Sequence, residues 1–119
     1  MEVYRENFGS WADVQREFEM NVAVPDQVIY AVYDLPDYEG YANVIYRNGD
    51  RFYWAYGSHC SCYGLEGQWE PEEYDARGLV EVLRRGDHWR LNDRGADVQE
   101  HIIAAILAYI ENNSVAGHA

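Results

Sequence analysis

Asn48-Gly49 is the pair of residues that most constrains how this 119-residue chain can fold. It separates two runs, Tyr41 to Tyr46, with aromatic and β-branched residues, and Arg51 to Tyr56, rich in aromatics. An Asn-Gly pair between such runs is the strongest short-range hairpin signal, because the turn residues must accept positive φ. Phe52, Trp54 and Tyr56 then share one face of the second run. Upstream, Val28 to Tyr33 is apolar on both sides, with Val28, Tyr30 and Val32 opposing Ile29, Ala31 and Tyr33, which predicts a central strand. Asp34-Leu35-Pro36-Asp37-Tyr38-Glu39-Gly40 reads as the loop between them. From Gly57 to Glu73 the period is lost and three glycines appear, so this stretch reads as a shaped loop rather than an element.

Helices flank the strands. Ser10 followed by Asp13 resembles a capping box, and Trp11, Val14 and Phe18 fall on one face of a helix expected over about residues 10–20. Asp75 is placed to cap a second helix whose apolar residues Ala76, Leu79, Val80 and Leu83 step at helical spacing, with Gly86 where a terminating glycine belongs. Asp93 caps a third, running to about Glu111, whose stretch Ile102 to Ile110 is apolar all round. Such a helix is fully buried or has a partner, which makes a homodimer through it one expectation. The order is α-β-β-β-α-α. The fold class expected is α+β, a small single domain over residues 1–119, with a three-stranded antiparallel sheet and its helices packed on one face.

Charge narrows the partners. Twenty-one acids face nine bases, every base is Arg, and the net charge is −12. Residues 1–75 hold 15 of the acids and 4 of the arginines, so the front of the chain is anionic and the back nearly neutral. That distribution repels a phosphate backbone and excludes direct nucleic-acid binding. It favours a partner with a basic surface, the alternative being that the charge serves only to keep the chain in solution. The segment Met1 to Glu6 has neither a basic n-region nor an apolar h-region, and no apolar run approaches the ~20 residues a membrane span needs, so a cytoplasmic setting without membrane attachment is expected.

His59-Cys60-Ser61-Cys62 is the one cluster of reactive side chains. Two thiolates and an imidazole suit zinc, with His88 or His101 as a fourth ligand, but the spacing departs from C-x₂₋₄-C and a second half-site is missing. A Cys beside a His also suggests a nucleophile and its base, yet adjacent residues rarely point together. The plainer reading makes both cysteines small buried hydrophobes, with no metal or cofactor bound. No phosphate-cradling loop, H-E-x-x-H, GxSxG or basic pocket for an anionic substrate is evident, so the expectation is a protein that is not an enzyme.

The block GSHCSCYGLEGQWEPEE, Gly57 to Glu73, resembles a segment of short phage and prophage proteins of unknown function. The likeness lies in the Ser-His-Cys-Ser-Cys-Tyr-Gly core and the Glu-Gly-Gln-Trp-Glu-Pro-Glu-Glu that follows, about a seventh of the chain. The resemblance implies a bacteriophage or prophage origin and action inside a bacterial cell, where small proteins of this kind often inhibit host machinery or defence. The residues and the resemblance together suggest a binding protein that docks an acidic face on a basic surface of a host or defence protein, with carboxylates in phosphate sites and aromatic anchors. The residues expected to make that contact are Asp34, Asp37 and Glu39 from the first loop, and Trp69, Glu70, Glu72 and Glu73 from the second. A metal-binding or Cys-dependent protein centred on His59, Cys60 and Cys62 is the alternative, and a virion or packaging accessory a third.

Overall fold

The computed structural model describes residues 3–36, 38–61, 64–85, 91 and 95–117. In chain order the elements are β1 (Tyr4–Glu6), α1 (Trp11–Phe18), β2 (Gln27–Asp34), β3 (Glu39–Asn48), β4 (Arg51–Cys60), β5 (Glu72–Asp75), α2 (Ala76–Arg84) and α3 (Gly95–Gly117). They divide into two units, Met1–Glu73 and Tyr74–Ala119.

The α+β class holds, but the sheet has five strands in the order β1-β2-β3-β4-β5 and is mixed, not three-stranded and antiparallel. β1 pairs with β2 in parallel, Tyr4 opposite Ala31 and Glu6 opposite Tyr33. Three residues cannot show a two-residue period, and Glu72-Glu73-Tyr74-Asp75 has no apolar alternation, so neither edge strand left a sequence signal. After β1 the chain turns at Glu6, whose φ is +58°, and Asn7 donates from backbone and side chain to the Tyr33 carbonyl, both at 3.0 Å.

The hairpin forms as its residues demand, one residue later than expected. Asn48 pairs with Arg51, so the two-residue turn is Gly49-Asp50, with Gly49 at φ +59°. Gly at the first central position is the arrangement of a II′ turn. Asn48 acts instead as a brace: its side chain accepts from the Asp26 amide at 2.9 Å, while Asp26 accepts from the Gly49 amide at 2.7 Å.

α1 is capped as its sequence implies. Ser10 accepts from the Asp13 amide at 3.3 Å, and the Asp13 carboxylate reaches back to the Gly9 amide at 2.8 Å. That bond, with the Arg16 guanidinium 2.7 Å away, holds the Asp13 carboxyl below its ordinary range. The helix lays Trp11, Val14 and Phe18 on one face of the sheet against Ala31, Tyr33, Ala42, Val44, Tyr46 and Ala55, with Phe8 and Leu65 closing the cluster. Side chains of the other face, among them Tyr30, Ile45, Phe52 and Trp54, are buried too. There the Trp54 indole donates to buried Asn43 at 2.8 Å, so neither polar group is stranded.

In the second unit Asp75 caps α2 by accepting from the Gly78 amide at 2.7 Å. α2 buries Leu79, Val80 and Leu83, and α3, in contact with it, buries Val98, Ile102 and Ile106. The expected caps Gly86 and Asp93 lie outside the described residues. No described helix is long and apolar enough to cross a membrane.

Candidate functional site

Strand register decides which of the singled-out residues meet. Glu39 lies opposite Cys60, so the β2–β3 connection and the end of β4 share one end of the sheet. Contrary to the loop expected there, Gly57 to Cys60 complete β4, and Glu39-Gly40 open β3. The cross-strand ladder overrides the weak intrinsic preference of Gly, Ser and His for strands.

Gly40 makes room for a ring at this end. It pairs with His59, whose imidazole lies directly over it, and any β-carbon there would collide with the ring. Above Gly40, Tyr33 of β2 reaches across to His59 of β4, with the phenol oxygen 2.6 Å from Nε2. His59 Nδ1 is 2.8 Å from the Cys60 carbonyl, which can only accept. Nδ1 therefore carries the proton of the neutral ring, Nε2 accepts, and Tyr33 donates. Burial first, then the charges of Glu17 and Glu66, raise the Tyr33 pKa above its ordinary value and keep the phenol a donor. Phe8 packs against Tyr33 with ring centroids 5.4 Å apart.

This pairing bears on the reactive cluster. Neighbouring strand residues face opposite sides of a sheet, so the Cys60 thiol points away from the imidazole. Cys60 is free and exposed, which corrects the buried role expected of it: it is the last residue of β4, at the end of the sheet. Cys62 and His88 lie outside the described residues, and among those described no three His, Cys, Asp or Glu side chains gather as a metal would need.

The same end presents two of the exposed large apolar side chains of the first unit's loops, the third being Val24, 67% exposed, before β2. Tyr38 is 80% exposed and Leu35 45%, between half-buried Asp34 and exposed Glu39. Tyr41 donates to Glu39 at 2.6 Å, and this bond to a carboxylate raises the Tyr41 pKa. Asp37 lies outside the described residues. Glu66, whose charge acts on Tyr33, follows in the next loop, which is pinned to the sheet by three inward side chains. Leu65 is buried over Gly57, Gln68 accepts from the Ser58 amide at 2.9 Å and donates to the Gly64 carbonyl at 2.9 Å, and Trp69 closes the loop.

The residues of the second expected group do not join the first. Trp69 is half-buried, with ring centroids 5.0 Å from Phe18, 5.9 Å from Trp11 and 5.9 Å from Tyr46, so it plugs the α1 core instead of standing out as an anchor. Tyr46 lies stacked between Trp69 and Tyr53, and burial pushes its pKa up to about 12. Glu70 and Glu72 are exposed. Glu73 pairs with Arg51 at 3.0 Å and accepts from Tyr53 at 3.0 Å, which raises the Tyr53 pKa. Arg51 opens β4 and Cys60 closes it, so roughly 30 Å of strand separates Glu73 from the Glu39 end at about 3.3 Å per residue. The acidic surface is thus split: the tip holds Asp34, Leu35, Tyr38 and Glu39, and the charge of Glu66 reaches Tyr33 beside them. Leu35 and Tyr38 were missed, although an apolar and an aromatic residue flanking Pro36-Asp37 have little chance of burial in so short a loop.

No protein-family model matches this chain, and neither a curated protein nor a solved structure is similar enough to match it.

Proposed function

We propose that this chain is a non-enzymatic binding protein of bacteriophage or prophage origin that modulates or inhibits a host or defence protein. In this reading it seats the tip around Tyr38 on a basic surface. The observation that carries it is the exposure of Tyr38 and Leu35 between Asp34 and Glu39, within residues 1–75, which hold 15 of the 21 acids. Isolated exposed apolar residues are ordinary on protein surfaces. An aromatic and an aliphatic side chain together on one acidic tip form a different pattern, the small anchor with a charged rim that binding hot spots use. The acidic rim favours a basic partner surface, of the kind that handles nucleic acid, and opposite charge speeds encounter.

The test begins with affinity capture of a partner from bacterial cells, followed by binding rates across a salt series. The association rate should fall steeply with salt, because exposed charges are screened over a Debye length of about 8 Å at physiological ionic strength. Tyr38→Ala should speed dissociation at least ten-fold, and Glu39→Arg with Glu66→Arg should slow association. Glu100→Arg with Glu111→Arg, an equal change of net charge on α3, should do much less. A salt-insensitive association rate with an unchanged Tyr38→Ala dissociation rate retires the proposal.

A further inference from the structure

Sequence alone offered no basic pocket, yet the second unit builds one. Arg77, Arg84 and Arg85 line a cavity of about 380 Å³ between α2 and α3, with Val80 and Glu81 from α2 and Leu107 and Ile110 from α3. Positions 77, 80, 81 and 84 step as i, i+3, i+4 and i+7, which sets them on one face of α2. Val80 is buried and Leu107, 42% exposed, supplies an apolar wall that the helix pair leaves open to solvent. Three cations thus surround an apolar floor with one carboxylate among them, in a chain whose net charge is −12.

Helix stability accounts for only part of this. Arg84 sits in the last turn of α2, where the helix dipole favours a cation. Arg77 sits in the first turn, where the dipole opposes one, and no acid occupies that turn. The Asp75 carboxylate beside it is committed to the Gly78 amide. Among the described residues neither Arg77 nor Arg84 is ion-paired. The two are about 10 Å apart along the axis at 1.5 Å per residue, a span two long side chains close over one ligand. Planar guanidinium groups bind carboxylate, sulfonate or phosphate oxygens in pairs. The volume falls within the roughly 300–1,000 Å³ of small-molecule sites.

We infer that this cavity binds a small amphipathic anion, its acid group held by Arg77 and Arg84 and its aromatic or short alkyl body laid on Val80, Leu107 and Ile110. The site is independent of the acidic tip. Glu81 on the rim sets an upper limit on affinity and supplies a control of opposite sign.

The probe is 8-anilinonaphthalene-1-sulfonate, followed by fluorescence and calorimetry on the full chain, with uncharged N-phenyl-1-naphthylamine as its neutral counterpart. One molecule of the sulfonate should bind per chain, and the neutral compound at least ten-fold more weakly. Arg77→Gln with Arg84→Gln should weaken the sulfonate at least ten-fold without moving the melting temperature, Arg77→Gln alone by a smaller factor, and Glu81→Gln should tighten it two-fold or more. Absence of saturable one-to-one binding, equal binding of the neutral compound, or equal binding by the arginine variants overturns the inference. Sedimentation decides the rival occupant: a dimer that Leu107→Asp dissolves, with no dye bound, means a second copy covers the groove and the inference fails.

Discussion

Replacing Gly40 by alanine should break a hydrogen bond in which Gly40 takes no part. Its φ is not left-handed, so its backbone accepts a β-carbon, and the obstacle is the His59 ring lying on it. The cheapest escape is rotation of the imidazole, which pulls Nε2 away from the Tyr33 hydroxyl now 2.6 Å distant and parts rings whose centroids are 5.8 Å apart. The lost hydrogen bond costs about 0.5–1.5 kcal/mol and the lost ring contact a similar amount. Reduced freedom of the unfolded chain returns about 0.4–1 kcal/mol. The net is a destabilisation of about 1 kcal/mol, read by urea unfolding followed through tryptophan fluorescence. The decisive comparison is a double-mutant cycle with Tyr33→Phe, in which the hydrogen bond is already gone and Gly40→Ala should cost about 1 kcal/mol less. Nitrogen chemical shifts of the imidazole should report the Nδ1–H tautomer in the parent and a tautomer mixture in Gly40→Ala. A stabilised Gly40→Ala protein, or one equally destabilised in both backgrounds, refutes the reasoning.

Ser10→Ala removes the side-chain cap of α1 and should cost about 1 kcal/mol in chemical unfolding, with Ser10→Asp largely retaining it. Tyr46 stays neutral in the folded protein up to about pH 12 but ionises near 10 when unfolded, so the folded state holds more protons between those values. Stability should therefore be full below pH 10 and fall by about 1–2 kcal/mol as pH rises towards 12, a figure reduced for the solvent that reaches the phenol; Tyr46→Phe should remove this component of the alkaline loss. Cys60→Ser changes an exposed thiol and should alter stability by no more than about 0.5 kcal/mol in thermal unfolding. Protein purified without chelator should contain no stoichiometric zinc by elemental analysis; one zinc per chain, lost in Cys60→Ser, would establish a metal site there.

Much of this architecture could be read from local chemistry. Ser10 and Asp75 each have a side-chain oxygen at a helix start, and Asn48-Gly49 lies between two alternating runs, so α1, α2 and the β3–β4 hairpin were written in nearest-neighbour terms. What stayed hidden depended on distant partners. Gly57 and His59 look like loop residues until Ala42 and Gly40 are known to lie opposite them. Trp69 within a string of glutamates gives no sign that Trp11, Phe18 and Tyr46 wait to receive it. Glu73 reads as a free surface acid only while Arg51, more than twenty positions away, is ignored. The arginines of α2 do repeat with helical spacing, but the apolar side of their cavity comes from Leu107 and Ile110 on another helix. Tyr38 was within reach, since a loop of that length has nowhere to hide a ring.

The short outer strands carry a further consequence. β2, β3 and β4 hold the stretches rich in aromatic residues and, in β2 and β3, in valine and isoleucine that, laid bare, would recruit identical stretches from other molecules into cross-β stacks. Each of them is shielded by a neighbour, and the outermost strands are only three and four residues long and include Glu6, Glu72, Glu73 and Asp75. A template so brief and so negatively charged gives an incoming chain little to pair with. β1 is the thinner guard, held by the Val3 carbonyl on the Ala31 amide at 2.8 Å and by Asn7 on Tyr33. A chain lacking residues 1–9 would leave Gln27–Asp34 as a bare eight-residue margin. Such a truncated protein should form thioflavin-positive fibrils at concentrations where the full chain stays clear, so a few residues that give the core little beyond Phe8 set how crowded this protein can safely become.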